Sequence, residues 1–401
     1  MLSPLAVPSF RASTVRPAPP AYAPNSAPVT GWDAIPALLE ARLSTPEPLA
    51  NPGGLAAYYY LLYRQHGQLG YLERAHALFN QQLAYSQAPA AGAGSPAALA
   101  WLGARADVQT QASYATCPLR PLDATLFNRL QQLGSQAQPA DRAELLHLVR
   151  YFRLRAGCGE SATYLSRIVE LLGTPAYLVP AANSVSPAAQ SLALPDGLTG
   201  ELLLLTEVYQ AAGRPPTLAG LIRARVAVLL ATRRETDFSA GHYSIFPDTA
   251  AEPGQPACFS NHLSWGRGSD LAASLALYRA QAVLHDAELG RIAELVGLNT
   301  LLRTAPETTG IGSAQFFQGA FGVAYLYRQL HFLSGHPAYQ HGHAYWLQAA
   351  ERYLSQELAA GFYHTQPADS LSGALGIGLA LLQLSPASTV AGEARGALEV
   401  V

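Results

Sequence analysis

The sequence predicts an all-α fold: an α/α toroid of about seven helical hairpins, arranged as an inner and an outer layer. Three observations lead there. Proline-free stretches of helix formers and aromatics run from one glycine to another thirteen positions later, at Gly54–Gly67, Gly200–Gly213 and Gly322–Gly335. Each is followed by a second stretch with apolar residues along one face. The starts of the first stretches recur at steps mostly near fifty residues.

In chain order, residues 1–44 are dense in Pro, Ala and Ser and read as an extended N-terminal tail and lead-in. The domain proper runs over 45–401. Its first inner helix is expected near Gly54, and thirteen residues make a helix of roughly 20 Å. A closing glycine suits the left-handed conformation that ends helices. Pro215 and Pro337, shortly after Gly213 and Gly335, suit a chain that stops there.

The partner helices carry stripes at helical spacing: Leu72, Ala75, Phe79 and Leu83; Leu218, Leu221, Ile222 and Leu229; Trp346, Ala349, Ala350, Tyr353 and Leu354. The first helices are apolar all round, as buried helices are, and the second are striped, as solvent-facing ones are. Further inner starts fall at Gly94, Glu144, Leu271 and Gly376. The step from Gly200 to Leu271 is longer, and its surplus is a loop-like insertion at 235–262. Seven two-layered hairpins are expected to close into a ring, because an open solenoid needs capped ends, although periodicity alone does not separate ring from arc.

Composition narrows the function. Of 401 residues 49% are hydrophobic and 13% charged, enough for a large core. The net charge is −2 and lysine is absent, so no electrostatic footprint for nucleic acid or an anionic membrane is expected. No run of eighteen apolar residues predicts a membrane span. Cys117, Cys158 and Cys258 are isolated and form no CxxC, and the N-terminus lacks a convincing signal peptide. A cytoplasmic protein is the expectation.

Several residues invite chemistry. His336, His341 and His343 suggest a metal site, against the plainer reading of a polar helix connection. His242, Asp248, Cys258 and His262 share the insertion, at spacings that fit no zinc pattern. Trp265-Gly266-Arg267-Gly268 is not a phosphate loop, and no nucleophile elbow occurs. Tyr58, Tyr59 and Tyr60 read as inner-helix core. Asp196 and Asp270 sit at inner-helix starts and form a possible glycosidase-like carboxylate pair.

Four inner-helix openings, DGLTGELLLL (196–205), SWGRGSDLAASLAL (264–277), FQGAFGVAYLY (317–327) and LSGALGIGLALLQL (371–384), share a glycine-spaced lead-in. Taken in order over 45–385, they resemble the LanC-like family, the lanthionine synthetase C proteins that cyclise lanthipeptides. The resemblance implies an α/α toroid with its site at the centre. It also implies a zinc ion that holds a substrate cysteine as thiolate for addition to a dehydroamino acid.

Under that resemblance the zinc-cyclase Trp-Cys-x-Gly motif reads Trp265-Gly266-Arg267-Gly268 here, and Cys-His-Gly reads Phe317-Gln318-Gly319. Gly266, Phe317 and Gln318 thus stand where the family has its zinc ligands. The acid/base His-Gly-x-x-Gly motif reads Asp196-Gly197-Leu198-Thr199-Gly200, and His262 stands where arginine is common. The scaffold residues Trp265, Gly268, Gly319, Gly197 and Gly200 remain.

The expectation is a degenerate family member with no cofactor, since zinc sites need about three protein ligands. It would bind a precursor peptide or a dehydratase-like partner. The alternative is an active enzyme without zinc, drawing on His262, Asp196, Arg267 or Asp270: a thioether cyclase with His262 as base, or the carboxylate pair.

Overall fold

Seven helices form the inner wall of a closed ring. The computed structural model describes residues 31–87, 96–104, 118–136, 142–157, 161–174, 191–195, 197–250, 256–364 and 366–384. Within them lie fifteen α-helices, and β-structure is limited to isolated bridges. The inner helices are α2 (Pro52–His66), α4 (Pro96–Gly103), α6 (Arg142–Leu154), α8 (Leu198–Ala211), α10 (Asp270–Leu284), α13 (Ala320–Ser334) and α15 (Ala374–Leu384). Each packs on the next, and α15 packs back on α2, which closes the toroid.

The outer layer comprises α3 (Leu69–Gln87), α5 (Arg120–Gln136), α7 (Ser161–Leu172), α9 (Pro216–Ala231), α11 (Ala287–Thr300) and α14 (Pro337–Ala359). Its seventh member is α1 (Gly31–Leu43), which lies against α15 and α14. A short helix, α12 (Pro306–Thr309), precedes the lead-in to α13. Helix α1 falls inside the stretch expected to be tail and lead-in. Its Ile35 and Leu39 are fully buried, so this outer helix of the last hairpin comes from the start of the chain.

The observed inner helices begin within two residues of the expected starts; Gly94 itself lies outside the described residues. The split in polarity has the expected cause. Every residue of α15 is buried, as are Pro52 to Leu62 of α2, including Tyr58, Tyr59 and Tyr60. Outer α14 buries only one stripe, with Trp346, Ala349, Ala350 and Leu354 inward. Gly67 and Gly335 end α2 and α13 in the left-handed conformation.

The glycine-spaced openings have one geometry. The N–H groups of Leu198, Ala320 and Leu375 each donate to a carbonyl seven residues back, on Ser191, Ser313 and Ala368, all at 2.8 Å. The lead-in therefore folds under the first helical turn. At Gly322 a Cβ would sit on the carbonyl of Phe316, and Gly200 and Gly376 stand over Leu194 and Leu371 in the same way. Only glycine admits so close a backbone approach.

Three buried arginine–carboxylate pairs tie elements together: Arg155–Asp123 at 2.8 Å, Arg225–Glu201 at 2.9 Å and Arg303–Asp270 at 2.6 Å. Pairs of this kind define which neighbours fit more than they add net stability. No helix among the described residues is long and apolar enough to cross a membrane.

Candidate functional site

The lead-ins to α10 and α13 run side by side. The N–H of Leu263 donates to the Thr309 carbonyl at 3.0 Å, and that of Gly266 donates to the Phe317 carbonyl at 2.7 Å. Segments some fifty residues apart in sequence thus form one surface.

Its apolar half is aromatic. The Trp265 ring lies 5.4 Å from that of Phe316 and 5.5 Å from that of Phe317, centroid to centroid. Phe316 is buried, whereas Trp265 and Phe317 are half-buried and Gln318 is exposed. A Cβ on Gly266 would clash with the Phe317 ring, 2.2 Å from Cε1 and 2.3 Å from Cδ1. Glycine at 266 and phenylalanine at 317 are therefore complementary in shape: the ring fills the room that a side chain at 266 would need.

Its polar half comes from the insertion. Ser260 Oγ donates to Asp248 Oδ2 at 2.5 Å and accepts the His262 main-chain N–H at 3.4 Å. Arg267, about half exposed, places Nη1 3.7 Å from Asp248 Oδ2. The His262 ring covers Gly310, whose left-handed backbone (φ 65°) ends α12 and leaves no room for a Cβ. Burial, then the Arg267 charge, hold the His262 imidazole below its usual range against the pull of Asp248. Burial pushes the Asp248 carboxyl up, opposed by Ser260, His262 and Arg267. His262 is accordingly a neutral imidazole at neutral pH.

Asp270 is not at this surface. It is fully buried, bound to Arg303 at 2.6 Å, and accepts the N–H groups of Ile245 and Phe246. It anchors the insertion to the first turn of α10 and faces no opening, so it cannot be half of a catalytic carboxylate pair. Asp196 lies outside the described residues. Gly268 rests on the main chain of Asp248, Gly319 on that of Ser313 and Gln315, and Gly197 on that of Ser191 and Ala193. These three shape the lead-ins.

The histidine cluster on α14 disperses. His336 caps the helix, with Nδ1 accepting the Ala338 N–H, and His343 Nδ1 lies 3.0 Å from the Ala324 carbonyl. Cys258 is exposed, and Cys117 and Cys158 lie outside the described residues. No group of three or more His, Cys, Asp or Glu side chains among the described residues converges as a metal site. At the zinc-ligand positions that the LanC resemblance implies, Gly266 and Phe317 offer no donor atom and Gln318 offers only an amide, so these residues do not fit zinc. Ser260 and Gly310 carry no motif in the sequence; the left-handed Gly310 is the only trace, as a glycine closing a short helical turn.

No family model and no curated protein sequence matches the chain. A search of solved structures finds nisin cyclase, at a TM-score of 0.63 over 92% of this chain and 97% of that one, with 12% identity. The chain shares the LanC-like α/α toroid. At that identity the likeness speaks for the fold and leaves the chemistry to the residues.

Proposed function

We propose that the chain is a LanC-like protein of peptide modification, related to lanthipeptide pathways, that binds a precursor peptide or its dehydratase partner without zinc-dependent cyclisation. One observation supports this above others: the Phe317 ring occupies the space over Gly266, between the two lead-ins where the resemblance puts the zinc. The likeness to nisin cyclase supports the pathway, and the aromatic ledge of Trp265 and Phe317 offers apolar surface to an unfolded peptide.

The test uses a fluorescent peptide carrying cysteine and dehydroalanine. Anisotropy should report binding that Phe317→Asp weakens, while mass spectrometry after thiol capture should show no cyclisation beyond the rate without protein. Absence of binding sinks the proposal.

A second reading rests on His262, which is half-buried, neutral and beside Arg267. In that reading the imidazole takes a proton from a nucleophile without metal. Cyclisation above background that is lost in His262→Ala would favour it over the first.

A further inference from the structure

We propose that the cavity at the seam between the first hairpin and the closing helices is a second binding site, for a small uncharged aromatic molecule bearing one hydrogen-bond acceptor. The cavity measures about 310 Å³, the lower end of the range for ligand sites. Its walls come from Tyr58 and Leu62 of α2, Leu381 and Leu382 of α15, and Ile35 of α1. Gln65, His66, Gln68 and Tyr71 stand around it on the α2–α3 side. It sits at the C-terminal ends of α2 and α15, whereas the candidate functional site sits at the lead-ins to the N-terminal ends of α10 and α13. The two are separate.

Three features select the ligand. Arginine and carboxylate side chains are missing from the lining, and His66 is the only lining side chain able to carry a positive charge, so an ionised ligand would lose hydration for little counter-charge. The walls are aromatic and branched aliphatic, and Gly378 permits this: a Cβ there would lie 2.7 Å from the Tyr58 ring and 3.2 Å from Ile35 Cγ2. The absence of that carbon lets the Tyr58 ring come close to the α15 main chain.

The third feature is the Tyr58 hydroxyl. The residue is only 2% exposed, yet no described residue hydrogen-bonds its phenol. Burial and its neighbours hold the phenol above its usual range, so it stays a donor at any physiological pH. The Tyr58 oxygen is not among the polar atoms sealed from solvent without a partner, so water can satisfy it in the cavity, and a ligand carbonyl would take that water's place as acceptor. Aromatic body, single acceptor and neutrality follow from walls, hydroxyl and lining in turn.

The experiment is saturation-transfer NMR on the full chain with benzamide and benzoate as probes, in wild type, Tyr58→Phe and Leu382→Trp. Benzamide should bind at millimolar concentration and benzoate at least tenfold more weakly. Tyr58→Phe should weaken benzamide by roughly five- to tenfold, the worth of one neutral hydrogen bond. Leu382→Trp, which fills the cavity, should abolish transfer.

No transfer from benzamide, equal binding of the two probes, or binding that persists in a folded Leu382→Trp protein would overturn the proposal. Should Leu382→Trp fail to fold, the probe ratio and Tyr58→Phe decide. Both are independent of whether any peptide binds at Phe317.

Discussion

The Phe317 ring takes the space a Cβ on Gly266 would need, and the Gly266 N–H donates to the Phe317 carbonyl at 2.7 Å, so each residue limits what the other position can hold. Gly266→Cys alone should overpack the contact and destabilise the protein by about 1–3 kcal/mol. Made together with Phe317→Cys, the same change should cost almost nothing further. A double-mutant cycle by chemical denaturation should return a coupling of about 1 kcal/mol or more. Additive effects would mean that the ring moves away freely.

Restoring a ligand set should restore metal affinity. Gly266→Cys, Phe317→Cys and Gln318→His together place two thiolates and an imidazole on neighbouring lead-ins already joined by main-chain hydrogen bonds. Zinc should bind the triple variant at about micromolar strength or tighter in calorimetry, and the parent far more weakly. A folded variant with no gain over the parent would show that the two lead-ins do not converge as a zinc site requires.

The buried pair of Asp270 and Arg303 should matter for stability and for the insertion alike. Arg303→Met leaves a fully buried carboxylate without its cation and should cost about 3–5 kcal/mol. Asp270 also receives the Ile245 and Phe246 amides, so Asp270→Ala should increase protease cleavage within 235–262. An unchanged cleavage pattern would mean that the insertion is anchored elsewhere.

Acid should weaken the fold through His262. Its folded pKa lies below the ordinary histidine value of about 6.5 because burial and Arg267 disfavour the imidazolium. Above about pH 6.5 the ring is neutral in both states and contributes no pH dependence. As pH falls below that value, the unfolded chain takes up the proton first and stability declines until the folded pKa is passed. His343, also lowered by burial, adds the same sign. Asp248, raised by burial, adds the opposite sign at lower pH, where its folded form takes up a proton before the unfolded form does. His262→Gln should remove part of the decline that sets in below about pH 6.5, measured as urea midpoints.

Removing residues 1–43 should open the ring. Ile35 and Leu39 are fully buried, each worth roughly 1.5–3 kcal/mol, and Arg42 approaches Asp369 at 3.4 Å. The truncated chain should bind a hydrophobic dye and melt earlier. Unchanged stability would make α1 an ornament of the fold.

Much of the architecture is legible because one device repeats. The glycine at 200, 322 and 376 is required wherever a lead-in carbonyl passes under the first turn, so it marks inner helices in the sequence itself. Helix α1 is hidden because it follows a Pro-rich stretch and contains Pro36, and its partner α15 lies more than three hundred residues on.

The site is half legible for a related reason. Gly266 and Phe317 can be singled out by motif, but the ring lying over the glycine is a tertiary fact. Asp270 looks reactive at a helix start until Arg303, Ile245 and Phe246 surround it.

The ring also sets an order of events. Helix α1 is synthesised long before its seat on α15, which follows it by more than three hundred residues. Local hairpins can form as they emerge, since α2, α8, α10 and α13 each pack on the outer helix that follows them. The last contact spans nearly the entire sequence and bears the largest loop-closure entropy. Until then Ile35 and Leu39 lack the surface of α15, and a nascent chain displays the apolar stripe of α1. Such a chain is expected to engage holding chaperones through α1, and to let go of them when α15 arrives.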